Sequence, residues 1–163
     1  MIAPERLAQP LQTPYLAPMF EALIRRLVAP APNRLPEPDA RLALASLLVR
    51  VARTDGTYAQ TEIDRIDRVL MARYGLSPFE SAAFRSRAEV LEAEAPDTVR
   101  FTRALKEATA LEDRSQLMQA LWSVALADGQ RDADEDRLMR LVANLLGLTD
   151  VESAQARQRA ERE

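Results

Sequence analysis

RTDGTYAQTE (residues 53–62) and LADGQRDADE (residues 126–135) are one ten-residue phrase written twice. Each puts Asp-Gly at the end of an apolar helical run and a glutamate seven positions after the aspartate. The pairs are Asp55-Gly56 with Glu62, and Asp128-Gly129 with Glu135. The chain has only 4 glycines, and glycine is the residue that adopts a left-handed backbone without strain at a helix end. Both Asp-Gly steps therefore predict the same event, a helix stopping and another starting a few residues later.

Working outward, the second half overlies the first with an offset of 73. Leu44, Leu48, Val51, Ala52, Ile66 and Val69 then meet Leu117, Leu121, Val124, Ala125, Met139 and Val142. After one deleted residue, Gly75-Leu76-Ser77 meets Gly147-Leu148-Thr149, and Glu80 meets Glu152. All four glycines thus fall at two equivalent points in two copies, which predicts a repeat three helices long, 38–93 and 114–161. Ile63, Ile66, Leu70 and Tyr74 make one apolar stripe, and Leu138, Leu141, Val142, Leu145 and Leu146 make its counterpart. SPFE at 77–80, DRSQ at 113–116 and TDVE at 149–152 have the spacing of capping boxes. No stretch alternates apolar and polar β-formers. The expectation is an all-α helical bundle of two pseudo-symmetric repeats, with helices near 38–54, 59–74, 78–93, 96–109 (the connector), 114–127, 133–146 and 150–161.

Eight of the 10 prolines lie between Pro4 and Pro38, so residues 1–37 read as a separate Pro-rich segment preceding a domain over 38–163. Inside that segment Phe20, Leu23, Ile24 and Leu27 have helical spacing, predicting a short amphipathic helix over 18–28. It would dock on its own domain, on a membrane surface or on a partner. Met19 offers a second start.

Composition narrows the chemistry. Cys and His are both absent, which removes disulfides, the usual zinc, haem and copper ligands, and the familiar nucleophile–base pairs. All of the 22 basic residues except Lys106 are arginine, interleaved with 25 acids for a net charge of −3. That pattern is a solvated helical surface rather than a nucleic-acid footprint. LALASLLV at 42–49 is too short to span a bilayer, and no leader opens the chain, so a cytoplasmic address is expected.

An apolar helix ending in (V/A)-A-x-x-D-G, a glutamate seven on, and a G-L-(S/T) stop before another helix resembles the TerB-like family over about residues 38–157. The family is named for tellurite resistance, and a related domain occurs in a DnaJ-type co-chaperone. The resemblance implies an all-helical fold of two similar halves, a cytoplasmic setting, a link to stress or tellurite resistance and no enzymatic activity. It also implies acidic metal ligands near the turns, which fall here on Asp55, Glu62, Asp128 and Glu135. One departure stands out: the first copy has Ala59 where the second has the capping Asp132.

The residues alone leave two readings of these acids. As plain structure, Glu62 and Glu135 return to cap their own helices and Asp132 serves as N-cap. Asp55 and Asp128 fit less well. They sit at helix C-termini, where the macrodipole penalises a carboxylate by about 0.3–1 kcal/mol. Either each bridges its corner to N–H groups of the next helix, or a cation lies there. With oxygen ligands only, that cation is Mg²⁺, Ca²⁺ or Mn²⁺. An EF-hand is excluded, because Gly129 directly follows Asp128. Asp64, Asp134 and Asp136 would add negative potential. The leading expectation is a non-enzymatic binding or scaffold domain recognising a divalent cation or a basic partner. A metal-dependent hydrolase using the same carboxylates is one alternative, and a homo-oligomerisation domain another. Thr102 and Lys106 share a helix face as an ordinary polar pair, and Trp122 adjoins an apolar stripe as a core residue.

Overall fold

The computed structural model describes residues 39–95, 97–130 and 132–163. The expected 18–28 helix and the rest of 1–37 lie outside the described residues. Those described are all-helical: α1 (Ala40–Arg53), α2 (Gln60–Tyr74), α3 (Pro78–Glu94), α4 (Val99–Ala108), α5 (Arg114–Ala125), α6 (Ala133–Leu145) and α7 (Asp150–Ala160).

The centre is α1. Asp39 caps it by accepting the Leu42 N–H at 2.8 Å, and the run 43–49, polar only at Ser46, is then buried on every side. Ala43, Leu44, Leu47, Leu48 and Val51 are fully buried, with α3, α4 and α5 packed around them. The second buried helix is α5, through Leu117, Met118, Leu121 and Val124. The other helices are amphipathic covers. On α2, Ile66 and Leu70 are buried. On α6 the stripe runs through Met139, Val142 and Leu146, whereas Leu141, expected on it, is 47% exposed. The inward face is thus rotated toward Met139.

Helix starts at 77–80 and 149–152 are capping boxes, with Ser77 and Thr149 accepting from Glu80 and Glu152. The box expected at 113–116 does not form. A 3-10 turn (Leu111–Asp113) runs straight into α5, so Asp113 has helical angles and makes no side-chain cap. The neighbouring Arg114 acts instead. Its guanidinium donates to the carbonyls of Lys106 (3.0 Å), Thr109 (3.1 Å) and Leu146 (3.1 Å), tying the ends of α4 and α6 together. Nor do Thr102 and Lys106 pair: the buried Thr102 hydroxyl donates to the carbonyls of Thr98 and Val99. Trp122 is a core residue, 7% exposed. Among the described residues no helix is long and apolar enough to cross a membrane.

Candidate metal centre

The α1–α2 and α5–α6 corners are built alike. At each, the glycine N–H donates back to a carbonyl three residues earlier, Gly56 to Arg53 (3.0 Å) and Gly129 to Leu126 (3.1 Å). Their φ angles are +79° and +70°, a region where a side chain is strained. A Cβ at either glycine would meet nothing within 4 Å, so the requirement lies in the backbone alone. The aspartates then turn forward. Asp55 Oδ1 accepts the Thr57 N–H at 2.8 Å, and Asp128 Oδ1 accepts the Gln130 N–H at 2.9 Å. The bridge is shorter than the sequence led us to expect, reaching two residues into the loop rather than to the next helix.

The two glutamates part company. Glu62 Oε2 accepts the Ala59 N–H at 3.0 Å. Ala59 has no side-chain acceptor to complete a box, so only the returning half exists. In the second copy Asp132 caps α6 by accepting the Asp134 N–H at 2.8 Å. No capping box forms around Glu135, so the purely capping reading does not hold for it; its side chain is buried, with 4% exposure. Asp64 and Asp134 stay on the surface, facing Gln60 and Arg137.

Packing of α5 against α1 and α2 brings the corners together. Carboxylate oxygens of Asp55, Glu62 and Asp128 all lie within 4.8 Å of one another. Like charges at that separation repel by about 3–4 kcal/mol per pair at an effective dielectric near 20. Glu62 is fully buried, and its Oε1 has no hydrogen-bond partner. Its carboxyl is pushed up to about 7, first by burial and then by Asp55 and Asp128, against the lowering effect of the Ala59 N–H. Glu135 lies outside the 4.8 Å set yet feels the same field. Burial, then Asp128, Asp55, Glu62 and Asp132, push it up to about 8.

One corner is braced by groups that sequence reading missed. Arg50 donates to the Glu92 carboxylate (3.1 Å) and the Ala95 carbonyl (2.8 Å), and Arg53 pairs with Glu92 at 2.7 Å. Arg53 also stacks over Tyr58, whose hydroxyl donates to Glu89 at 2.7 Å. Arginines five and two residues before Asp55 look like ordinary surface charge, and only the fold reveals α3 opposite them.

The donor set suits a hard divalent cation. All the ligands are oxygens, two of the three clustered acids are half-buried, and the third carries a buried oxygen lacking any donor. A cation would satisfy that oxygen and offset the mutual repulsion in one step. Residues 41–158 match the family model described as Tellurite resistance protein TerB. No curated protein and no solved structure matches the chain.

Proposed function

We propose, for a chain that belongs to the TerB family of tellurite resistance proteins, a non-enzymatic cytoplasmic binding module whose ligand is a divalent cation. Asp55, Glu62 and Asp128 hold the ion, and Glu135, pushed up to about 8 by burial and by these acids, gains its charge as the ion binds. The site belongs to the 38–163 domain, and we read its corners as equivalent points of a duplicated three-helix unit. The same turn hydrogen bonds at Asp55-Gly56 and Asp128-Gly129 support that reading.

A single observation carries the proposal: the fully buried, unpartnered Oε1 of Glu62, in a carboxylate clustered with two others. A helix cap needs only Oε2. A buried acceptor left without a donor costs about 1–3 kcal/mol, and more when charged. A bound cation removes that cost and ties the α1–α2 corner to the α5–α6 corner. The ion then acts as a structural clasp whose occupancy sets the stiffness of the surface that a protein partner meets.

Calorimetric titration of Ca²⁺, Mg²⁺ and Mn²⁺ into metal-stripped protein tests this. The expected result is one ion per chain, with binding lost in Asp128→Asn. Heats indistinguishable from dilution for all three ions at millimolar concentration would defeat the reading.

A further inference from the structure

A second cluster, spanning α2 and α3 in the first half and α6 and α7 in the second, has one member whose charge differs between the halves. In the first half Arg85 is held from two sides, by Asp67 (Nε to Oδ1, 2.8 Å) and by Glu89 (Nη1 to Oε1, 2.7 Å). Ser81 closes the arrangement, its hydroxyl donating to the Asp67 carbonyl at 3.1 Å. The register that lays Gly75 on Gly147 lays Ser81, Arg85 and Glu89 on Ser153, Arg157 and Glu161. The register of the preceding helix, which lays Asp55 on Asp128, lays Asp67 on Arg140. Three of the four members are kept, and the retained pair forms again, Arg157 Nε to Glu161 Oε1 at 3.1 Å. The fourth has its charge reversed.

That reversal coincides with a cavity. Arg140, Ser153 and Arg157 line a space of about 260 Å³. Its floor is Trp122, which lies 5.0 Å beneath the Arg157 guanidinium and donates from Nε1 to Ser153 Oγ at 3.2 Å. Where the first half seats a carboxylate beside an arginine and a serine, the second half has open volume and a second guanidinium. Two arginines and a hydroxyl around a void are the recognition chemistry of an oxyanion. Asp136 and Asp150 also line the cavity. They offset the charge of the two guanidiniums, so a multiply charged anion is repelled more strongly there than a singly charged one.

We propose that the cavity between α5, α6 and α7 binds a small monocarboxylate, seated between Arg140 and Arg157 over Trp122 in the place that Asp67 fills in the other half. This site is independent of the cation reading.

Trp122 is the chain's one tryptophan, so its fluorescence reads the site directly. The probe is acetate, titrated into the intact protein against chloride at constant ionic strength. The expected result is a saturable change in Trp122 emission. Arg140→Gln, a change at an exposed position, weakens it about tenfold, the loss of one charge-assisted contact. Arg140→Asp abolishes it and raises the melting temperature, because Arg157 regains the carboxylate that Arg85 has. An acetate response absent from the wild type, or unchanged in Arg140→Gln, would overturn the proposal. Sulfate binding as tightly as acetate would overturn the assignment of a singly charged ligand.

Discussion

Replacing Glu62 by glutamine should change stability with opposite sign in the absence and presence of cation. Glu62 is fully buried beside Asp55 and Asp128, and its folded carboxyl sits at about 7 against an ordinary value of 4.5. A carboxyl raised on folding contributes stability that is fully present below about pH 4.5 and is lost as the pH rises through about 7. At pH 8 in chelator the wild type has therefore lost about 3.5 kcal/mol, at roughly 1.4 kcal/mol per pH unit. Glutamine never ionises. Its carbonyl can keep accepting the Ala59 N–H, and its amide can donate to the neighbouring aspartates. Glu62→Gln should thus be more stable than the wild type by about 3.5 kcal/mol at pH 8, a rise in melting temperature of roughly 10 °C. The advantage should vanish near pH 4.5. With cation a thousandfold above its dissociation constant, the wild type gains about 4 kcal/mol and overtakes the variant. Thermal unfolding by circular dichroism in EDTA, and then in each cation, reads all of this. A variant less stable than the wild type in EDTA at pH 8 would refute the reasoning, because it would mean that the Glu62 charge is satisfied within the protein.

Other expectations follow from the same geometry. Asp128→Asn keeps an acceptor for the Gln130 N–H and should hold stability in chelator while abolishing the cation response; Asp128→Ala also loses that bond and should unfold about 1 kcal/mol more easily in chelator. Gly129→Ala should cost about 1–2 kcal/mol, from its φ of +70° alone, since no atom lies in the way of the added methyl. Arg114→Ala removes three guanidinium bonds to helix-end carbonyls and should lower stability by about 2–3 kcal/mol in urea denaturation, with no effect on cation binding. For phosphoester and ester substrates no metal-dependent turnover is expected; a rate that Glu135→Gln abolished would move the chain into the hydrolases.

Much of this architecture is legible in the residues because the signals are local and steric. A glycine after an apolar run announces its positive φ, and Ser77-Pro78-Phe79-Glu80 announces a helix start. Asp113 shows the limit of such reading. Its spacing to Gln116 is that of a box, but the preceding turn had already adopted helical angles, which the local pattern does not encode. The acidic site was legible by type, through two Asp-Gly-x₅-Glu phrases, and its convergence depends on how α5 packs on α1 and α2. Burial separates its members further. A capping role places Glu62 at a helix start, but it also stands four residues before Ile66 on the buried face, and docking of the other corner encloses it completely and strands one oxygen. The Arg140 cavity was invisible for the opposite reason, since a surface arginine on α6 gains meaning only against Asp67, its counterpart in the other half.

A crystal grown with Mn²⁺ and measured near the manganese absorption edge tests the central claim most directly. The account expects one anomalous peak per chain among the carboxylates of Asp55, Glu62 and Asp128, within bonding distance of Glu62 Oε1. Clear density for those side chains with no peak between them, or with an ordered donor on that oxygen, would contradict it.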